Sequence, residues 1–207
     1  MSLIFSPAFV LRSFRHRETS MILHLFSRES GKVHCIAKGI RRSGRSGISS
    51  LHTGSCVNAV FYKRGKPDGL KILKEITPAV YFPRIQCDLI KTGIIHSAFE
   101  VLSSILDPGW SSPELFTITE DFMRRIESGA DCREVFFIFN SYLLDISALF
   151  GFMLDTASEA PVPPPDGFEP ERALEYSTYL VSRLFNHFEK RPALKSLSFL
   201  SEALPDA

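Results

Sequence analysis

The chain has 207 residues, 44% of them hydrophobic and 23% charged, a composition that supports a packed core in one large domain or two modest ones and excludes a disordered polyelectrolyte. Its 24 basic and 23 acidic residues nearly cancel, yet residues 1–80 hold 14 Lys and Arg against 4 Asp and Glu, while residues 81–207 hold 10 against 19. The front is suited to meeting a polyanion, and the back is not.

From Ala8 to about Ile76 the apolar residues recur with period two. Phe9, Leu11 and Ser13 alternate with Val10, Arg12 and Phe14, and Met21, Leu23 and Leu25 alternate with Ile22, His24 and Phe26, the pattern of half-buried strands. Glu29-Ser30-Gly31-Lys32 is a polar turn into Val33, Cys35 and Ala37, which predicts a hairpin over residues 20–38. The stretch from Gly39 to Gly47 holds three Gly, two Ser and three Arg and reads as a loop. A strand from Ser55 to Tyr62 runs into a turn at Pro67-Asp68-Gly69, where proline presets φ and glycine tolerates positive φ. The last strand runs from Leu70 to Ile76. Five short strands with no long helical stretch predict a small Greek-key barrel over residues 1–80.

Pro78 and Pro83 bracket a junction, after which the period becomes that of a helix. Ile90, Ile94, Ala98, Val101, Leu102 and Ile105 share one helical face that ends at Asp107-Pro108-Gly109. Ser112-Pro113-Glu114 supplies an N-cap, a proline at the first helical position and an acid in the first turn, and predicts a helix to about Ile126. Asp131 and Glu134 form a capping-box pattern ahead of Val135-Phe136-Phe137-Ile138-Phe139, a run apolar all round that predicts the buried centre of a helical domain over residues 81–207. Residues 156–170 form a proline-rich connector, a final long helix runs from about Pro170 to Phe188, and Leu194, Leu197, Phe199 and Leu200 predict a packed tail.

Catalysis finds no support in these residues. His34 and Cys35 are adjacent, but successive strand residues face opposite ways, so they cannot pair as base and nucleophile. Cys35, Cys56, Cys87 and Cys132 stand far apart without a C-x-x-C pair, and the histidines lack metal-ligand spacing, so neither a metal nor another cofactor is expected. Wide cysteine spacing fits reduced thiols, the opening segment is too weakly apolar for a secretory leader, and no run approaches the ~20 apolar residues of a membrane span. A soluble cytoplasmic protein that does not engage a membrane is expected.

Nucleic-acid binding fits better. Arg12, Arg15, Arg17, Arg28, Lys32, Lys38, Arg41, Arg42, Arg45, Lys63, Arg64 and Lys66 fall at strand ends and in the two longest loops, where a barrel presents a groove to a strand. Phe14, Phe26, Phe61 and Tyr62 lie beside them as candidate stacking faces, with burial in the barrel core as the alternative. In the back half Arg124, Arg125 and Arg133 lie near Phe122 and Phe136 and are a candidate pocket for an acidic peptide with an apolar end, with ordinary helix-end charge as the alternative.

Two stretches resemble the ends of the bacterial recombination mediator family RecO. Ala8-Phe9-Val10-Leu11-Arg12-Ser13-Phe14, Glu18-Thr19-Ser20 and the segment from Leu25 to Val33 are similar to its opening, and Ile36-Ala37-Lys38-Gly39-Ile40-Arg41-Arg42-Ser43 to the basic stretch that follows. Phe188 to Leu200 is similar to its closing segment. The resemblance implies an α+β protein, an N-terminal five-stranded OB-fold barrel followed by an α-helical domain. It also implies binding of single- and double-stranded DNA near the nucleoid, annealing of complementary strands, and loading of recombinase on gapped DNA. RecR and the C-terminal tail of single-stranded-DNA-binding protein are the implied partners, and Lys38, Arg41 and Arg42 the first DNA contacts. Many members carry a four-cysteine zinc module after the third long helix, but Leu154 to Phe168 holds no cysteine, so zinc is not expected. The competing reading is an OB-fold adaptor that binds RNA or a protein without annealing.

Overall fold

Alternating β-branched and aromatic residues, broken by short polar turns, give five strands: β1 (Leu3–His16), β2 (Ser20–Ser27), β3 (Gly31–Ala37), β4 (Cys56–Tyr62) and β5 (Lys71–Val80). The structure is a computed structural model, and it describes residues 2–40, 51–63, 66, 68–152, 168–189 and 194–203. The strands close into a barrel in the order β1-β2-β3-β5-β4, with β4 returning to pair with β1. Every pairing is antiparallel except that of β3 with β5. This is the five-stranded Greek-key barrel of the OB fold. Val10, Leu23, Leu25, Val33, Cys35, Val57, Ala59 and Phe61 fill its interior.

Strand β1 serves two neighbours, pairing with β4 through Leu3–Phe9 and with β2 through Ala8–His16, and its register to β2 shifts between Val10 and Arg12. Val10 stands opposite Leu25, but Ser13 stands opposite Leu23 and Arg15 opposite Met21, so Leu11 is the extra residue of a bulge. The bulge is satisfied locally. Val10 N–H donates to Ser55 O at 2.9 Å, Gly54 N–H to Val10 O at 2.9 Å, and Thr53 Oγ1 to Leu11 O at 3.2 Å. Unbroken alternation through residues 9–14 is therefore corrected: Phe9, Arg12 and Phe14 share the outer face, because one inserted residue moves every later side chain to the opposite side. A second adjustment lies in β5, which continues past Ile76 through Pro78, opposite Val57 next to a further register shift.

The chain divides into two compact units, residues 1–81 with 106–116, and residues 82–105 with 117–207. In the first unit the segment Leu106–Phe116 lies against the outer face of β1–β3. Phe116 packs on Phe9 at 5.0 Å and on Phe26 at 5.5 Å between ring centroids, which accounts for the complete burial of Phe9 and Phe26. Gly109 N–H donates to Lys32 O at 3.0 Å, Lys32 Nζ to Leu106 O at 3.2 Å, and Ser111 Oγ to Arg28 O at 3.2 Å. Gly31, at φ +64°, lies directly under the Trp110 carbonyl.

The second unit is helical: α1 (Pro83–Gln86), α2 (Leu89–Ile105), α3 (Pro113–Ser128, whose first turn belongs to the barrel unit), α4 (Cys132–Leu149), α5 (Pro170–His187) and α6 (Lys195–Ala203). The expected caps form. Ser112 Oγ accepts from Leu115 N–H at 3.1 Å, Asp131 accepts from Glu134 N–H at 2.8 Å, and Glu134 reaches back to Ala130 N–H. Lys91 is buried with its ammonium donating to Gly129 O at 2.7 Å, where it meets the carbonyl end of α3. Tyr142 stacks on Phe122 at 4.2 Å and shares a hydrogen bond of 3.0 Å with Thr119 in the core. Two expectations are corrected. Helix α4 is not buried all round, since Phe137 is 66% exposed, and in the tail Leu197 and Leu200 are buried while Phe199 is half exposed. The connector at residues 156–167 and the loop from Arg41 to Gly47 lie outside the described residues.

Gly31→Ala should destabilise the protein by more than the ~1–3 kcal/mol of a strained left-handed residue, because its Cβ would fall on the Trp110 carbonyl. Gly39→Ala is the control, at φ +68° with nothing near its Cβ. Denaturant midpoints of the two variants should separate the clash from the backbone strain.

Candidate nucleic-acid interface

The hairpin register that follows from the short β2–β3 turn sets His24 opposite His34, and the bulge sets Arg12 opposite His24. A polar row Arg12–His24–His34 therefore crosses three strands on the outer face. The next row is Phe14, Ile22 and Ile36, extended by Ile72 through the parallel pairing of β3 with β5. Phe14 is 44% exposed and Ile72 47%. The imidazoles of His24 and His34 stack at 4.0 Å and 24°, and Phe14 meets His24 edge-on at 5.2 Å. Segment 106–116 covers the same face where it carries Phe9 and Phe26; beyond it His24 and His34 are half-buried.

Electrostatics keep the imidazoles neutral. Burial, then the charges of His34, Lys32 and Arg12, push His24 down to about 4. His34 is lowered by burial and by Lys32, against an opposing pull from Asp68, so the β4–β5 loop borders this row. His34 Nε2 is covered and makes no hydrogen bond among the described residues, a state that costs on the order of 1–3 kcal/mol. On the inner side of the sheet, burial pushes the Cys35 thiol up to about 12. It is a core group, inert as a nucleophile.

The expected cationic residues separate into groups. His16 pairs with Ser20 and Met21 with Ala37, so Arg15, Arg17 and Lys38 share one rim of the barrel, where all three are exposed. Arg17 sits in the β1–β2 turn at φ 53°. Arg28 lies at the opposite end of these strands with its guanidinium 5.9 Å from the centre of the Phe116 ring. Lys63 and Lys66 are exposed in the β4–β5 loop. Arg41, Arg42, Arg45 and Arg64 lie outside the described residues. Of the candidate stacking rings, Phe26 and Phe61 are fully buried and Tyr62 half-buried, which leaves Phe14 as the open one.

In the helical unit, Phe122 and Phe136 are in the core and give no apolar floor to a pocket beside Arg124, Arg125 and Arg133. Arg124 pairs with Glu120 at 2.9 Å and Arg125 approaches Asp121 at 4.0 Å, each one turn back along α3. Arg133 is exposed, one turn before Phe137. Among the described residues no group of three or more His, Cys, Asp or Glu could hold a metal ion, and no helix is long and apolar enough to cross a membrane.

Sequence reasoning missed the His24–His34 row. A signal was present: with Glu29 at the middle of the β2–β3 turn, residues 24 and 34 are equidistant from it. The pairing of Ile36 with Ile72 had none, since a parallel contact between β3 and β5 follows only from closure of the barrel.

Residues 1–82 match the family described as "Recombination protein O N terminal". The chain is 30% identical over 128 residues to the DNA repair protein RecO of Desulfitobacterium hafniense, covering 62% of this chain and 46% of that protein. It is 30% identical to the RecO of Geobacter metallireducens, covering 60% and 50%, and 28% identical to that of Syntrophobacter fumaroxidans, covering 65% and 52%. The chain thus spans about half the length of the curated relatives it matches. Both findings bear out the resemblance to RecO.

The depressed His24 pKa carries a pH signature. Between the ordinary imidazole value of 6.5 and about 4 the unfolded chain takes up a proton that the folded barrel refuses, so stability falls as pH drops through this window. His24→Asn should flatten the fall in melting temperature between pH 6.5 and 4.5, with His34 supplying part of what remains. An unchanged slope would mean that His24 titrates normally.

Proposed function

We propose that this RecO-like chain is a non-enzymatic DNA-binding protein of recombinational repair that neutralises the phosphate backbone, anneals complementary strands and assists recombinase loading on gapped single-stranded DNA. The observation that carries the reading is the net charge of +10 in residues 1–80, presented by a closed OB-type barrel whose Arg15, Arg17 and Lys38 share one exposed rim. Annealing requires no catalytic group, because cations lower the repulsion between two strands and base pairing supplies the driving force. The name that the relatives carry, DNA repair protein RecO, agrees with this role. RecR and the tail of single-stranded-DNA-binding protein are the partners the reading brings with it, and the nucleoid is its place of work.

An adaptor reading draws on a different face. Phe5, 68% exposed, and Leu3, 43% exposed, stand on β1 opposite Val60 and Tyr62, an apolar strip suited to a protein partner. It can coexist with DNA binding on the other side of the barrel.

Anisotropy of a labelled single-stranded DNA, with its RNA counterpart alongside, titrated at several salt concentrations tests the main reading. Affinity for DNA at least equal to that for RNA, with log K falling by roughly 0.7 per neutralised phosphate, is expected. Arg17→Glu combined with Lys38→Glu should weaken binding at least tenfold, reduce the salt slope by about one to two and slow annealing of complementary oligonucleotides. Unchanged affinity and slope would remove this rim from the interface.

A further inference from the structure

We propose that the trough between α5 and α6 in the helical unit is a docking site for a basic amphipathic helix of a partner protein. This goes beyond the DNA-binding reading and does not depend on it.

The trough exists because its two walls are anchored elsewhere. Helix α5 packs on α4, where Ser177 Oγ donates to Asn140 Oδ1 at 2.8 Å, and α6 packs on α2. Ser196 N–H at the start of α6 donates to Glu100 Oε2 at 3.2 Å, and Leu200 lies so close over Gly93 of α2 that a Cβ there would collide with it. With each helix held by a different neighbour, a gap of about 610 Å³ remains between them. From α5 it is lined by Leu174, Thr178, Val181 and Phe185, spaced i, i+4, i+7 and i+11, and from α6 by Leu194, Leu197, Ser198 and Ser201, spaced i, i+3, i+4 and i+7. Each helix turns a second stripe toward the same gap, besides the one it buries on its anchor. That is the spacing with which helices receive another helix. The α5 wall from Glu171 to Phe185 runs about 20 Å, or roughly four helical turns, and a compact small molecule would fill only part of it.

The walls also select the charge of the occupant. Val181, Phe185 and Leu197 form an apolar floor, and the short side chains of Ser198 and Ser201 let a backbone come close. Among the described residues, the charged groups lining the trough are Glu171 and Glu175, one turn apart and both exposed, and neither forms an ion pair. Arg172, the cation beside them in sequence, is engaged with Glu169 at 2.6 Å. The surrounding half of the chain carries 10 basic against 19 acidic residues, so its field has the same sign as the trough. A smaller hollow shares Leu194 and Ser198 with the trough and adds Phe199, 49% exposed, as further apolar contact. An apolar stripe flanked by Lys or Arg fits both the floor and the carboxylates.

The test uses the full chain and a synthetic fluorescein-labelled helical peptide with leucines on one face and lysines on the other, compared with the same peptide carrying Glu in place of Lys. Anisotropy should show saturable binding of the basic peptide and at least about tenfold weaker binding of the acidic one. Thr178→Trp fills the trough from an exposed position without touching the core and should weaken the basic peptide at least about tenfold. Glu171→Lys combined with Glu175→Lys should weaken it about tenfold and flatten its salt dependence. Circular dichroism and melting temperatures establish folding of the variants. No binding of the basic peptide, equal binding of both peptides, or binding that survives both variants would overturn the proposal. A wild-type dimer in sedimentation equilibrium that Thr178→Trp dissociates would assign the trough to a second copy of this chain and overturn the partner helix. DNA affinity, measured separately by the titration above, is untouched by any of these outcomes.

Discussion

One inserted residue in β1 decides what the barrel shows to solvent. Without the bulge at Leu11, the alternation that puts Ala8 and Val10 into the core would send Arg12 and Phe14 after them. An arginine inside a barrel this small is not affordable, since a buried charge without a partner costs several kcal/mol. With the bulge, the long strand β1 packs an apolar first half and exposes a cationic, aromatic second half without leaving the sheet. The turn at Thr53, Gly54 and Ser55 holds the device in place by accepting and supplying the hydrogen bonds that the ladder gives up there. Bulges at barrel edges commonly re-aim side chains toward a site, and here the re-aimed residues are Arg12 and Phe14.

The second constraint is the return of Leu106–Phe116 to the barrel. Phe9 and Phe26 are large rings on an outer face and would be left in water by residues 1–82 alone. Phe116 covers them, and backbone contacts from Gly109 and Trp110 to Lys32 and Gly31 fix the covering segment. The physical barrel unit is therefore discontinuous in sequence, and it extends beyond the 82 residues that match the family. Beyond this strap Phe14 is exposed on the same face, and His24 and His34 are half-buried.

Much of this architecture is legible in the sequence because local rules and global fold agree. The period-two runs, the turn at Ser30-Gly31 and the caps at Ser112 and Asp131 all point to elements that form. Three features escaped for distinct physical reasons. A bulge leaves no mark on composition, since Leu11 is as apolar as its neighbours and only the phase of the residues after it changes. The exposure of Phe137 and Phe199 depends on which helix faces find partners, a tertiary outcome that a run of apolar letters does not encode. The rim of Arg15, Arg17 and Lys38 was readable as charge, but its separation from Arg28 follows from the register, which puts the two turns at opposite ends of the strands. The acidic helical unit gave the least: Arg124 and Arg125 looked like a pocket until Glu120 and Asp121 stood beside them.

The central proposal is that the cationic rim of the barrel, with Arg15, Arg17 and Lys38, is where this chain meets DNA. Hydrogen–deuterium exchange of the full chain with and without a saturating single-stranded oligonucleotide tests it most directly. Slowed exchange should concentrate in peptides covering residues 12–17, 20–24 and 33–38, with little change in α2 to α5. Protection confined to the helices, or none anywhere at a concentration that saturates binding, would contradict the account.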